Sequence, residues 1–390
     1  MKHSCAIEAI EVISPPWVRG GARAAAWAES RLFPVLAPPS WMYAAAVSAV
    51  RTVRSRARSK SPAGLRVLSI GNLEVGGGGK TPFALHVLER LAGSGVSAVY
   101  VSRGFGGLSS LRDVVTVIAG EGSESARWLR SGVRLIDRGS LRSFGLSAQV
   151  GDEGAMVVRR QPQTTALFCR DKRLSLAIAA AVGGATHVVM DDAFQSWGVP
   201  RDIDVVLLDR ERPFGNGYTL PAGRLRERPD ALCRADFVGI NGAETEDDLR
   251  AMAAIVERRA GARKPIFGIR RSIQMRDADG SPAELSGPVA VLSGIAMPDA
   301  FERQVAGHGG PVAVSFRFPD HYRYGRRDIE WVAREAARRG IPRLVTTEKD
   351  WAKLCEFEDL EPPLDRPLVA RVSLEIFGDD PIPQITRAAG

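Results

Sequence analysis

The sequence predicts an α/β fold in which a parallel sheet is covered by helices and is followed by a second, smaller α/β domain. Short, continuously apolar segments at residues 67–72, 98–102, 186–190 and 204–209 have the pattern of strands buried on both faces. Helical segments such as 171–182 alternate with them, which is typical of a parallel sheet. Because such sheets bind ligands at the carboxyl ends of their strands, we expect the functional site there.

A glycine turn after the first of these strands has the features of a phosphate-binding loop, or P-loop. The turn consists of Gly76, Gly77, Gly78 and Gly79. Glycines let backbone N–H groups converge on an anion, and the following helix adds the positive end of its dipole. Lys80 would reach the β- and γ-phosphates of a nucleotide, and the Thr81 hydroxyl would ligate Mg²⁺. Glu74 stands where the strict motif has glycine, so a flexible turn with a chance lysine is the alternative.

Two acidic sites lie at positions where carboxylates could serve such a nucleotide. Asp191 and Asp192 directly follow an apolar strand, which is the Walker B arrangement for holding Mg²⁺. The alternative is an aspartate pair that caps the next segment. Asp152 precedes a helical pattern, where an aspartate by itself is more often a helix cap than a catalytic group.

Size and composition indicate a globular protein of about two domains. The chain has 390 residues, of which 45% are hydrophobic and 25% charged. Its four cysteines are scattered without a CxxC pair, which argues against a zinc site or a disulfide framework. Residues 1–20 do not have the pattern of a signal peptide, so we expect a cytoplasmic protein.

The first 60 residues form a basic extension, with nine Lys/Arg against three Asp/Glu. An apolar stretch from Trp41 to Val50 is followed by basic residues at Arg51, Arg54, Arg56, Arg58 and Lys60. That stretch is too short to span a bilayer, and Pro34, Pro38 and Pro39 are expected to break any helix before it. The pattern favours a helix in the headgroup layer and therefore peripheral membrane contact. The alternative is a core helix with a basic carboxyl end.

Ten ordered motifs resemble those of the tetraacyldisaccharide 4′-kinase family, which phosphorylates the lipid A disaccharide at the inner membrane. They are Ile70-Gly-Asn-Leu with Gly-Gly-Gly-Gly-Lys-Thr-Pro82, Ser102-Arg-Gly-Phe-Gly-Gly107, Gly151-Asp-Glu153, Asp191-Asp-Ala-Phe-Gln195, Arg201-Asp-Ile-Asp204, Phe214-Gly-Asn-Gly217, Pro221-Ala-Gly-Arg-Leu-Arg-Glu227, Ser293-Gly-Ile-Ala296, Phe318-Pro-Asp-His321 and Thr346-Thr-Glu-Lys-Asp350. The family's own P-loop also lacks the first glycine. The resemblance implies a kinase that uses ATP and Mg²⁺, with a lipid disaccharide as acceptor.

The resemblance also implies roles for individual residues. Lys80 and Thr81 would hold the ATP phosphates and Mg²⁺, with Asp191 and Asp192 completing the metal shell. Asp152 and His321 would form the pair that accepts the proton of the sugar hydroxyl. The remaining candidates, which would be neighbours of the phosphates or the sugar, are Arg103, Arg226 and Glu227.

The second half of the chain resumes a βα rhythm after a charged turn near Pro229. We therefore predict three segments: an extension with the membrane-interface helix at 1–60, a P-loop kinase domain at 61–228 and a smaller α/β domain at 229–390. His321 and Asp152 would then come from different domains, and domain closure could exclude water from the site.

Other functions fit the sequence less well. A membrane-associated switch ATPase would carry a second lysine early in the loop, where this chain has Glu74 and Val75. A GTPase would need an Asn-Lys-x-Asp stretch, and Thr347-Glu-Lys-Asp350 lacks that pattern. The pI near 9.6 prompts nucleic-acid binding, but the basic cluster belongs to no recognisable module. We therefore expect no nucleic-acid partner, and the sequence implies no protein partner.

Overall fold

The computed structural model describes residues 10–18, 33–56, 61–62, 64–111, 115–119, 133–136, 145–181, 184–261 and 263–387. These residues form two compact units. The larger unit contains residues 33–271 and 374–387, and the smaller contains residues 10–18 and 272–373.

The described strands are β1 Glu11–Ile13, β2 Arg66–Asn72, β3 Ala98–Ser102, β4 Val115–Ile118, β5 Val133–Ile136, β6 Thr165–Phe168, β7 His187–Met190, β8 Ile203–Asp209, β9 Phe237–Asn241, β10 Ile266–Arg276, β11 Val289–Ser293, β12 Val312–Arg317, β13 Leu344–Thr347 and β14 Leu368–Gly378. The described α-helices are α1 Phe33–Arg56, α2 Lys80–Gly93, α3 Leu146–Arg160, α4 Lys172–Ala181, α5 Glu246–Ala260, α6 Pro298–Ala306, α7 Arg326–Arg338, α8 Glu348–Leu354 and α9 Ile382–Ile385. Strands β10 and β14 each continue from one unit into the other.

The larger unit is built on a mostly parallel sheet with strand order β10-β9-β8-β2-β7-β3-β6-β4-β5. Only β4 and β6 pair antiparallel among its described pairs. The central strands are buried on both faces, as in β2, where Val67, Leu68 and Ile70 are almost inaccessible to solvent. This arrangement confirms the predicted α/β fold. It also places the ends of β2 and β7 side by side, because Ser69 pairs with Met190.

The smaller unit repeats the α/β architecture with strand order β1-β12-β11-β13-β14, and its described strand pairs are all parallel. A buried cluster that includes Leu292, Phe316 and Val332 forms part of its core. The ends of β11, β12 and β13 lead into the Ser293-Gly294, Phe318-Pro319 and Thr347-Glu348 segments. Motifs far apart in the sequence therefore meet at one edge of this sheet.

The larger unit extends to Arg271 because β9 and β10 add to its sheet in parallel register. The compact unit thus ends later in the chain than the boundary that the sequence predicts near Pro229. The division into segments 1–60, 61–228 and 229–390 as separate domains stays a prediction. Residues 57–60, with Arg58 and Lys60, lie outside the described residues.

Helix α1 is longer than the sequence predicts, since it runs from Phe33 to Arg56 with Pro38 and Pro39 inside. The expectation that these prolines end a helix was wrong. Each proline inside a helix removes one backbone hydrogen bond, and tertiary packing here outweighs that loss. Ser40, which is 1% exposed, lies on the packed face, and its hydroxyl bonds the carbonyl oxygen of Thr219 at 2.8 Å. None of the helices among the described residues is both long and apolar enough to cross a membrane.

Candidate active site

The candidate site begins where β2 ends and the glycine loop turns the chain into α2. Gly76 and Gly79 have φ angles of 112° and 75°, in the left-handed region that favours glycine. Gly79 is the N-cap of α2 and supplies no side-chain cap. The first N–H groups of a helix have no partner within the helix, so those of α2 can bind an anion. The loop is therefore suited to phosphate.

Lys80 is held at the centre of the loop by two oxygen atoms. Its Nζ donates a hydrogen bond to the Gly76 carbonyl oxygen at 3.0 Å and lies 3.6 Å from Asp192 Oδ1. The residue is only 8% exposed, so its charge is directed towards the loop and not towards bulk solvent. An anion in the loop would therefore meet a fixed cation.

Asp191 lies at the end of β7, beside the first turn of α2. Its Oδ2 accepts hydrogen bonds from the Thr81 hydroxyl at 2.7 Å and from the Tyr100 hydroxyl at 2.8 Å. Its Oδ1 is buried and has no hydrogen-bond partner among the described residues. Burial and the Asp191 charge raise the pKa of Tyr100 well above its ordinary value, so Tyr100 stays a donor.

The carboxylate of Asp191 and the hydroxyl of Thr81 fit a magnesium ion. Among the described residues no group of three or more His, Cys, Asp or Glu side chains could hold a metal by itself. Mg²⁺ in nucleotide sites takes one or two protein carboxylates, with phosphates and water as its other ligands. Asp191 and the Thr81 hydroxyl match that donor set, and the open Asp191 Oδ1 is an unused ligand.

Asp192 is surrounded by cations. Arg226 Nη1 donates to both of its carboxylate oxygens at 2.9 Å. Burial by itself would raise the pKa of Asp192, but Lys80, Arg226 and Lys172 together lower it to about 2. Its φ angle of 49° is unusual for a residue other than glycine. Buried Lys172 holds this turn, because its ammonium donates to the backbone carbonyl oxygens of Asp191 and Asp192.

Asp152 follows a kink in α3, where Gly151 has φ 78° and ψ 166°. A β-carbon added to Gly151 would lie 2.0 Å from the Phe105 carbonyl oxygen, so the two backbones touch at this point. The neighbouring Glu153 reaches the P-loop, with Oε2 at 3.2 Å from the Thr81 hydroxyl. The contact places the Gly151-Asp152-Glu153 segment beside the nucleotide loop.

The three predicted substrate neighbours lie in different settings. Arg226 contacts Asp192 as described above. Glu227 is 2% exposed and is bound by Arg234 at 2.9 Å and by Arg51 of α1 at 3.7 Å, so it anchors the loop that carries Arg226. Arg103 is exposed after β3 and makes no hydrogen bond or ion pair with another described residue.

His321 belongs to the smaller unit. It lies on the turn after β12 with a φ angle of 59°, and its Nε2 is 3.3 Å from Lys349 Nζ. Its predicted pairing with Asp152 stays a prediction.

Comparison with known proteins decides the family. The profile of the tetraacyldisaccharide-1-P 4′-kinase family, LpxK, matches residues 32–127 and 129–385. The chain belongs to this family.

Individual proteins similar to this chain belong to the same family. The tetraacyldisaccharide 4′-kinase of Anaeromyxobacter dehalogenans strain 2CP-C is 38% identical over 81% of this chain and 79% of its own length. The enzyme of the same name from Anaeromyxobacter sp. strain Fw109-5 is 34% identical over 95% of this chain and 94% of its own. The crystal structure of LpxK from Aquifex aeolicus in complex with ATP has the same fold, with a TM-score of 0.63 at 21% identity. It covers 92% of this chain and 97% of its own.

Three residues of the candidate site escaped prediction from sequence. Tyr100 resembles any aromatic residue in a buried strand, and its bond to Asp191 depends on β3 pairing with β7. Lys172 resembles an ordinary helix-start residue after Asp171. Glu153 belongs to the Gly151-Asp-Glu153 motif and is adjacent to Asp152, but only the kink at Gly151 directs it to Thr81.

Proposed function

We propose that this chain transfers the γ-phosphate of ATP to the 4′-hydroxyl of a tetraacylated glucosamine disaccharide 1-phosphate. The reaction would take place at the cytoplasmic face of the inner membrane. Family membership supports the reaction, and one local observation carries it. This observation is the meeting of Thr81, Asp191 and Lys80 around a glycine loop, with a buried oxygen of Asp191 left for a cation.

The phosphate end of the reaction would depend on positioning and charge. The N–H groups of Gly76, Gly77, Gly78 and Gly79 would cradle the phosphates, and Lys80 would neutralise the transferred group. Mg²⁺, held by Thr81, Asp191 and Asp192, would supply further neutralisation of the β- and γ-phosphate oxygens. Lys80, Arg226 and Lys172 keep Asp192 ionised, as its lowered pKa indicates, so this carboxylate stays available to the cation.

At the acceptor end, the sugar hydroxyl needs a base. The hydroxyl oxygen would form a bond to the γ-phosphorus, the bond from that phosphorus to the β,γ-bridging oxygen would break, and ADP would leave. Asp152 would take the hydroxyl proton, with His321 as its partner. The contact of Glu153 with Thr81 supports this role for Asp152, because it ties the acidic segment to the nucleotide loop. Arg103, exposed at the end of β3, would contact phosphate or sugar.

Helix α1 would bring the chain to its lipid substrate. Its outward face is apolar: Val35, Trp41, Met42 and Val53 are 70%, 64%, 74% and 67% exposed. Exposed apolar side chains on one face, with basic residues near the carboxyl end, suit a helix lying in the headgroup layer. Arg51 of the same helix binds Glu227, one residue from Arg226, so the membrane face and the candidate site share one structural element.

A transfer assay tests the proposal. Radiolabelled γ-phosphate of ATP would be followed into tetraacylated disaccharide 1-phosphate in detergent micelles. Lys80→Met should abolish transfer, and Asp152→Asn should lower kcat by about 100-fold or more, as expected for loss of a general base. Asp230→Asn is the matched control, because the Asp230 side chain is 62% exposed and its ion pair is with Arg228, which is not a candidate site residue. ATP hydrolysis by the wild type without lipid product would refute the proposal.

A further inference from the structure

The turn that carries His321 holds this residue in an unfavourable backbone conformation. Its φ of 59° lies in the left-handed region, which is uncommon for residues other than glycine. Two hydrogen bonds hold the turn: Tyr322 N–H donates to the Pro319 carbonyl oxygen at 3.1 Å, and His321 N–H donates to Asp320 Oδ1 at 3.0 Å. Residues held in such conformations concentrate at functional positions, which makes this turn a candidate for a functional role.

Lys349 approaches this ring from a rigid base. It lies in the first turn of α8, whose N-cap Thr347 accepts a hydrogen bond from Asp350 N–H at 3.0 Å. The carboxylate of Asp350 is fully buried and accepts from Gly294 N–H at 2.9 Å and from the Tyr324 hydroxyl at 3.0 Å. Because Asp350 fixes the start of α8 in the core, the backbone of the neighbouring Lys349 is held in place.

The contact between the two side chains has a chemical direction. Lys349 Nζ is 3.3 Å from His321 Nε2 and 3.0 Å from Asp320 Oδ1. An ammonium group only donates hydrogen bonds, so Nε2 must be the acceptor and the proton of the neutral ring must lie on Nδ1. We propose that Lys349 is a positioning residue that fixes neutral His321 as its Nδ1–H tautomer.

A second charged neighbour, Asp320, favours the opposite tautomer. Asp320 Oδ2 lies 3.9 Å from His321 Nε2 and would attract a proton there. That distance is too long for a hydrogen bond, whereas the Lys349 contact is within range. The same Asp320 carboxylate also binds Lys349, which directs the ammonium towards the ring. The geometry therefore favours the lysine.

A fixed Nδ1–H has a consequence for the reaction. It makes the Nδ1 edge of His321 a hydrogen-bond donor, as needed to bind and orient a carboxylate base, whereas the Nε2–H form would present a lone pair there. This consequence rests on the proposed function, in which Asp152 is that carboxylate. The tautomer itself is a property of the protein without any substrate.

Nitrogen NMR of the whole chain labelled with ¹⁵N-histidine tests the inference directly. The chain has five histidines, and His321→Gln would identify the His321 signals. At a pH where the ring is neutral, the wild type should show Nδ1–H. Lys349→Met should shift His321 towards Nε2–H, the form that an unconstrained neutral histidine side chain prefers, and Lys349→Arg should restore Nδ1–H. Arg338→Met, which removes a 76% exposed cation of the same unit, should leave the tautomer unchanged.

Kinetics provides a second readout. Loss of a positioning partner should lower kcat by about tenfold in Lys349→Met, with KM for ATP unchanged and kcat regained in Lys349→Arg. An Nε2–H signal in the wild type, or an unchanged tautomer in a folded Lys349→Met, would overturn the inference. Failure of the proposed function can be distinguished from failure of this inference. In the first case the wild type would form no phosphorylated lipid, while the NMR spectrum would still decide the tautomer.

Discussion

Gly151 offers the sharpest test of how the backbone positions the candidate base. Its φ of 78° and ψ of 166° belong to a region that is essentially open only to glycine, and a side chain there costs about 1–3 kcal/mol. An added β-carbon would also lie 2.0 Å from the Phe105 carbonyl oxygen, and the overlap can be relieved only by moving backbone. Overpacking of this kind costs about 1–3 kcal/mol more. Gly151→Ala should therefore lower the free energy of unfolding by about 2–6 kcal/mol.

Gly95→Ala is the matched control for that change. Gly95 also has a positive φ, 72°, but no atom lies within 4 Å of an added β-carbon. Only the left-handed strain of about 1–2 kcal/mol should appear. Urea unfolding followed by tryptophan fluorescence gives both values, and phosphate transfer should fall in Gly151→Ala because Asp152 is displaced. A Gly151→Ala protein that loses no more stability than Gly95→Ala would refute the described contact.

Three further predictions concern charge and the membrane. Arg226→Met removes two hydrogen bonds from the carboxylate of Asp192. The pKa of Asp192 should therefore rise above about 2, which carboxyl ¹³C NMR would show. Mg²⁺-dependent phosphate transfer should fall by about 10-fold or more. Burial lowers the pKa of Lys172 to about 8, so the unfolded state binds more protons than the folded state between about pH 8 and 10.5. This contribution makes the free energy of unfolding of the wild type increase as pH rises through that window. Urea titrations of Lys172→Met should lack the increase. Met42→Glu should weaken binding to anionic lipid vesicles, measured by sedimentation, by several-fold, which is about 1 kcal/mol or more of binding free energy. Ser55→Glu, at another exposed position of α1, should bind more strongly than Met42→Glu. Equal binding by the two variants would contradict the role of the apolar face.

The parts of the site that were predictable share a local signal. The glycine loop, Lys80 and Thr81 lie within a few residues of each other between a strand and a helix. Asp191 and Asp192 follow an apolar strand directly. In each case neighbouring residues determine the geometry, so the pattern in the sequence is sufficient. The α/β fold was predictable for the same reason, since the apolar strands alternate with helices.

The parts that were not predictable depend on contacts between distant segments. Tyr100 binds Asp191 only because β3 and β7 are neighbours in the sheet. Strand β6 escaped prediction, because a short apolar segment is ambiguous by itself and the pairing of β6 with β3 and β4 is a contact between distant segments. The prolines of α1 are poor helix residues, yet Ser40 and Thr219 hold the helix in place across 179 residues of sequence. Propensity alone cannot foresee such packing.

Locating the transferred phosphate tests the central claim most directly. The wild-type chain would be incubated with ATP, Mg²⁺ and tetraacylated disaccharide 1-phosphate in micelles, and the product would be analysed by mass spectrometry and ³¹P NMR. The proposed function predicts one added phosphate, on the 4′-oxygen, and none with Lys80→Met. Consumption of ATP without a bisphosphorylated lipid, or a phosphate on any other oxygen, would contradict it.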